Sequence, residues 1–135
     1  MAETITCLVA EDDLDDQEIF SLAVEKLGSS IVCSFASNGL EALDELNKVT
    51  PDYIFLDLNM PMLNGLQCLE RIKRMPQYYN LPVVVYSTSS DRKFIEKTFQ
   101  LGGAAFIKKP THVEDLTKAL SNFFTASPDH FMMLV

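Results

Sequence analysis

Four short apolar runs in this chain each end in a different kind of reactive side chain. Tyr53-Ile54-Phe55-Leu56 runs into Asp57, which is followed at once by Leu58-Asn59-Met60-Pro61. Ile5 to Ala10 runs into Glu11-Asp12-Asp13, Val83 to Tyr86 into Ser87-Thr88-Ser89, and Ala105 to Ile107 into Lys108-Lys109-Pro110. Short apolar runs bounded by turn residues read as buried strands of a parallel sheet. Open α/β sheets bind their ligands outside the carboxyl ends of the strands. Acids, a lone acid, a hydroxyl and a lysine gathered on one such edge would suit a divalent cation and a phosphoryl group.

Each residue type has a definite use there. Asp13, Asp15 and Asp16 fit the start of a helix, where carboxylates are favoured beside the positive end of the dipole. Glu11 and Asp12 fit that role poorly, because they stand at the strand end, facing the same edge as Asp57. Like charges so close resist ionisation unless a cation relieves them. A small hard cation held by one or two carboxylates, a carbonyl and waters fits Mg²⁺. Asp57 is then either a metal ligand only or a nucleophile, since carboxylates form aspartyl-phosphates in covalent catalysis. Lys109 can bring a point positive charge to a phosphoryl oxygen, and Ser87 can donate a hydrogen bond to another. Lys108 competes with Lys109, but strand residues alternate faces, so only one of the two points easily into the site. Pro110 fits a tight turn fixing the lysine backbone, and such a bond is of the type that adopts the cis form.

The elements that must position these groups alternate along the chain. Strands are predicted over 5–10, 31–36, 53–56, 83–86 and 105–107. Between them, helical spacing links Ile19, Leu22, Ala23 and Leu27, then Leu40, Leu43, Leu46 and Val49. It recurs in Leu66, Leu69 and Ile72 after Gly65, in Phe94, Ile95, Thr98 and Phe99 before Gly102-Gly103, and in Val113, Leu116, Leu120, Phe123 and Phe124. Gly28 suits the end of the first helix and Pro51 closes the second. Five strands alternating with five helices make a doubly wound α/β fold, a parallel sheet covered on both faces. Right-handed crossovers then bring all strand C-termini to one edge. The chain of 135 residues reads as a single domain, with a core over about 5–124 and an apolar tail over 125–135. The tail, ending Phe131-Met132-Met133-Leu134-Val135, reads as a strand-like segment on this domain, a disordered end, or a docking segment for a partner or second copy.

Composition excludes several classes. No apolar stretch approaches the roughly 18 to 20 residues of a membrane span. The start, Met1-Ala2-Glu3-Thr4, carries no basic region, so a cytoplasmic protein is expected. Cys7, Cys33 and Cys68 lie in apolar patterns without metal-ligand spacing and read as small buried hydrophobes. A net charge of -8 argues against nucleic acid and anionic membranes as partners.

Taken together, Glu11-Asp12, Leu56-Asp57-Leu58-Asn59-Met60-Pro61 with Gly65 beyond, Ser87-Thr88, and Phe106-Ile107-Lys108-Lys109-Pro110 resemble the receiver domain of two-component response regulators. The resemblance covers about Ile5 to Phe124 and is closest to stand-alone receivers of the chemotaxis-regulator type. It implies a flavodoxin-like (βα)5 fold with strand order 2-1-3-4-5. It implies that Asp57 accepts a phosphoryl group from a sensor histidine kinase or a histidine phosphotransfer protein. Mg²⁺, or Mn²⁺ in its place, would be held by Asp57, by Asp12 directly, by Glu11 mainly through water, and by the Asn59 carbonyl. Ser87 and Lys109 would each hold a phosphoryl oxygen, and Phe106 would be the aromatic switch that follows Ser87. Output would pass through an unknown downstream protein on the face of the fourth helix, fifth strand and fifth helix. A homodimer would use that face or the tail. Ser87 and Phe106 stand where the family more often has Thr and Tyr, and Asn59 and Ser89 occupy positions that tune phosphoryl lifetime.

The resemblance implies a self-phosphorylating and self-dephosphorylating module, not an enzyme acting on other substrates. Two other classes compete. An Asp-nucleophile phosphatase usually carries a second Asp two residues after the first, where this chain has Asn59, and needs a cap the chain lacks room for. A degenerate receiver acting as an interaction scaffold would have lost an acid, Asp57 or Lys109, and all are present. A cofactor binder of the same fold would need a glycine-rich phosphate loop after the first strand, where acids stand instead.

Overall fold

The computed structural model describes residues 4–28, 30–126 and 131–134. Residues 1–3, on which the reading of the start rests, and tail residues 127–130 and 135 lie outside the described residues. The elements follow the alternation: β1 (Ile5–Ala10), α1 (Leu14–Leu27), β2 (Ile31–Ala36), α2 (Gly39–Lys48), β3 (Tyr53–Asp57) and α3 (Gly65–Lys73). A short 3₁₀ turn (Pro76–Tyr78) leads to β4 (Val83–Ser87), α4 (Arg92–Gln100), β5 (Ala105–Lys108), α5 (Val113–Thr125) and β6 (Met132–Leu134). The strands form one sheet in the order β2-β1-β3-β4-β5-β6, and every pairing is parallel. The fold is flavodoxin-like, with helices on both faces.

The pattern of burial explains the apolar runs. All five β4 residues are buried, and so is β3 from Ile54 to Asp57. A strand covered on both faces has no solvent side, so it reads as continuous apolar sequence. Alternation sends Val9, Phe55, Val84, Tyr86 and Ile107 to the face carrying Phe20 and Leu120, the α1–α5 side. Leu8, Ile54, Leu56, Val85 and Phe106 pack on the other face with Leu46, Leu69 and Ile72. Phe106 is fully buried there.

Helix ends are set by local chemistry. Asp13 caps α1 by accepting the N–H groups of Asp15 and Asp16. Gly28 closes that helix at φ +133°, backbone that favours glycine. Asn64 and Gln67 form a reciprocal capping box at the start of α3. Gly65 beside them is a packing requirement: a Cβ there would stand 2.5 Å from the Asp57 carbonyl oxygen. The absence of a side chain lets the α3 start lie against the end of β3.

Two expectations are corrected. In α2 the buried positions are Gly39, Ala42 and Leu46, whereas Leu40 and Val49 are exposed. The helix begins at Gly39, so its core stripe is rotated from the one the leucines suggest. The sheet also has six strands, not five. Tail residues Met132, Met133 and Leu134 pair with Ala105, Phe106 and Ile107, extending the edge of β5. Phe131 stacks edge-on with Phe99 of α4 at 5.3 Å between ring centroids. The tail thus satisfies backbone groups that β5 would otherwise present at an open edge. Cys7 and Cys68 are buried, Cys33 is half-buried, and all three are free thiols.

Candidate functional site

The C-terminal ends of β1, β3, β4 and β5 converge. Parallel register places Ala10 beside Leu56, Asp57 beside Tyr86, and Ser87 beside Lys108. Glu11 follows β1 directly and is fully buried, while Asp12 is exposed. Oxygens of Glu11, Asp12 and Asp57 all lie within 4.8 Å of one another. Lys108 is exposed on the strand, and Lys109 turns inward, its side chain only 12% exposed.

Lys109 is the hub. Its Nζ donates to Glu11 Oε1 at 2.6 Å and to Asp16 Oδ2 at 3.0 Å, and stands 3.4 Å from Asp57 Oδ2. Burial works against its ammonium, but hydrogen bonding by Glu11 and the charge of Asp57 more than offset this and hold its pKa above the ordinary range. Burial pushes the Glu11 carboxyl up, and Asp57 adds to the rise although Lys109 opposes it. The Asp12 carboxyl, although exposed, is raised too, first by partial desolvation at the cluster and then by Glu11. Two carboxyls whose charge is resisted, Glu11 and Asp12, clustered with Asp57 as hard oxygen donors, match what a small divalent cation requires. The donor set therefore fits Mg²⁺ or Mn²⁺.

The remaining residues have defined places. Asn59 is exposed, and its N–H donates to Asp57 Oδ1 at 3.3 Å. Ser87 is buried, its hydroxyl oxygen accepts the Ser89 N–H at 3.1 Å, and its carbonyl accepts the Lys109 N–H at 2.7 Å. That backbone bond fixes the start of the Lys109 turn. No peptide bond among the described residues is cis, so the expected cis form before Pro110 is absent and the turn is held by the Ser87 carbonyl instead. Phe106 lies away from this cluster, in the core of the opposite face.

Three residues at the site carry no site role in the sequence reading. Tyr86 donates its hydroxyl to Glu11 Oε1 at 3.0 Å, and its ring centroid lies 4.8 Å from Lys109 Nζ. Asp16, read as helix decoration, is a direct Lys109 partner. The Gln17 side-chain amide donates to the Glu11 carbonyl at 2.7 Å. Tyr86 had a usable signal: alternation puts it on the same face as its register partner Asp57. Asp16 had none, because its contact with Lys109 depends on where the tertiary fold places the start of α1 relative to the turn after β5.

Comparison with known proteins identifies the family to which the chain is similar. A family model described as the response regulator receiver domain matches residues 7–121. The probable C4-dicarboxylate response regulator DctR of Priestia megaterium is 31% identical over 118 residues, covering 87% of this chain and 51% of that protein. A protein-glutamate methylesterase/protein-glutamine glutaminase of Treponema pallidum is 29% identical over 137 residues, 96% of this chain and 34% of that one. The chain thus spans about a third to a half of these curated relatives. Among solved structures, the phosphorylated cyanobacterial phytochrome response regulator RcpA superposes with TM-score 0.83 at 26% identity, covering 92% of this chain and 97% of that one. Chemotaxis response regulator CheY4 of Vibrio cholerae shares the fold, with TM-score 0.79 at 22% identity over 89% of this chain and 98% of that one.

Proposed function

Because the chain belongs to the response regulator receiver domain family, we propose that it is a phosphorylation-controlled signalling module with Asp57 as phosphoacceptor. The observation that carries this reading is the position of Lys109, 3.4 Å from an Asp57 carboxylate whose side chain is only 7% exposed, beside two further acids. An Asp57 oxygen attacks the phosphorus of a phosphohistidine on a sensor histidine kinase or phosphotransfer protein. The new bond is P–O; the P–N bond breaks, and its electron pair returns to the imidazole. Such transfers pass through a loose transition state with charge spread over the phosphoryl oxygens, so positioning and neutralisation do most of the work. Bound Mg²⁺ or Mn²⁺, held by Glu11, Asp12, Asp57 and the Asn59 carbonyl, would supply part of that neutralisation. Lys109 supplies the rest, and the Ser87 hydroxyl donates to a phosphoryl oxygen afterwards.

The product carries about -1.5 to -2 of charge. Drawing Ser87 toward it changes the packing beside Phe106, whose strand neighbours that of Ser87, and biases the surface of α4, β5 and α5 that a downstream protein reads. We place this chemistry in the cytoplasm. Self-association would use the same surface or the tail, and removal of residues 131–135 then lowers the mass in solution.

Treatment with a small-molecule phosphodonor and Mg²⁺ tests the reading. Wild type gains a hydroxylamine-sensitive label, and Asp57→Asn gains none. Full labelling of the mutant, on Asp12 or Asp13, overturns it.

A further inference from the structure

The neighbours of Lys109 fall into two groups. Glu11 and Asp57 belong to the carboxylate cluster that fits a divalent cation. Asp16 and the Tyr86 ring do not. The ammonium and a cation would therefore share two anions, and two positive charges at that distance repel. Lys109 needs a place to go, because a largely buried charge without a partner is costly. Asp16 Oδ2 at 3.0 Å offers an opposite charge, and the Tyr86 ring at 4.8 Å offers a cation–π face. A cavity of about 270 Å³ bordered by Asp16, Phe20, Tyr86, Lys109 and Pro110 leaves room on that side. The Tyr86 hydroxyl also donates to Glu11 Oε1, at 3.0 Å, so Glu11 has a donor besides the ammonium.

Building on the reading of Glu11, Asp12 and Asp57 as the cation's ligands, we propose that Asp16 and Tyr86 are positioning residues that form a second seat for the Lys109 ammonium. Lys109 bridges Glu11, Asp16 and Asp57 together in this structure, with the Tyr86 ring beside it. When the cation takes the Glu11 and Asp57 oxygens, Lys109 gives up those two and keeps Asp16 and the Tyr86 ring, and it remains at hand for an incoming phosphoryl group. Asp16 therefore supports cation binding without touching the ion.

Isothermal titration of the whole chain with Mg²⁺ separates this role from a general charge effect. Asp16→Asn and Asp15→Asn remove the same charge from the same helix turn, but only Asp16 contacts Lys109. We expect Asp16→Asn to weaken Mg²⁺ binding roughly threefold more than Asp15→Asn, the scale of one partly exposed ion pair. In a Lys109→Met background, which keeps side-chain length, that difference vanishes, as a double-mutant cycle requires for residues acting through one another. Asp16→Glu restores the carboxylate and recovers most of the affinity. Equal effects of the two Asn variants, or an Asp16→Asn effect that persists without Lys109, overturn the second seat while leaving the cation site intact. A wild-type chain that takes up no Mg²⁺ at millimolar concentration overturns the cation reading itself, and the second seat with it.

Discussion

Lys109 and Lys73 stand at opposite ends of the same sheet and meet opposite surroundings. Lys109, at the carboxyl end of β5, is ringed by three carboxylates. Lys73, at the end of α3, reaches the amino end of β4 and donates to the carbonyls of Tyr78, Tyr79 and Leu81 at 3.4, 3.0 and 2.6 Å. Burial alone acts on Lys73 and pulls its pKa below the ordinary range, whereas the carboxylates around Lys109 reverse the same penalty. Carbonyl dipoles satisfy hydrogen bonds without cancelling charge, so Lys73 fastens a loop and has nothing to exchange. Carboxylates cancel charge and accept cations, so Lys109 sits among groups that can trade partners. One residue type is a staple at one end and a movable counter-charge at the other.

The largest expected effect comes from removing the counter-charge. Lys109→Ala lowers the rate of phosphodonor labelling by about 10²-fold, the scale of losing one group that stabilises transition-state charge. Some labelling remains, because Asp57 and the acids survive. A change under twofold would place Lys109 with Lys73 as a structural lysine.

Lys73→Met comes next and should behave in the opposite way. Three carbonyls lose their donor, but those on the exposed side regain water, so urea unfolding should report a loss of about 1 kcal/mol. Labelling at Asp57 stays at the wild-type rate. A large labelling defect in a variant that folds normally would erase the distinction between the two ends.

The smallest effect is in pH. Desolvation and the neighbouring acids hold the Glu11 and Asp12 carboxyls above their ordinary values of 4.5 and 3.8. A raised carboxyl holds its proton to higher pH, and a cation must displace that proton. Mg²⁺ affinity should therefore fall as pH drops from 7 toward 5.5, by about threefold, before an unperturbed carboxylate would respond. For folding the sign is reversed. Protonated Glu11 relieves the buried repulsion, so its contribution to stability is present below the unfolded value and lost as pH rises through the raised one. Affinity that stays flat to pH 5 would show that Lys109 already compensates Glu11 as fully as a carbonyl ring satisfies Lys73.

Much of this was readable along the chain. Runs such as Tyr53–Leu56 and Val83–Tyr86 announce doubly covered strands because burial on both faces removes every polar position. Order then places Glu11, Asp12, Asp57, Ser87 and Lys109 at strand ends, and parallel topology brings those ends to one edge. Alternation likewise separates Lys108 from Lys109. The residues that escaped this logic are those whose role depends on a neighbour far away in sequence. Tyr86 passes for a core aromatic until its hydroxyl meets Glu11, and Asp16 passes for helix decoration until the Lys109 side chain reaches the start of α1. The apolar tail allows a strand-like segment on this domain, but only the fold shows that Met132–Leu134 joins the sheet beside β5.

The order of residue types along the chain thus determined which chemical groups arrive at the sheet edge, since strand period and crossover hand leave little freedom. Only the packed fold decided which of them share a proton, a charge or an ammonium. Those pairings form at about 3 Å, and they depend on how helices settle against strands dozens of residues away.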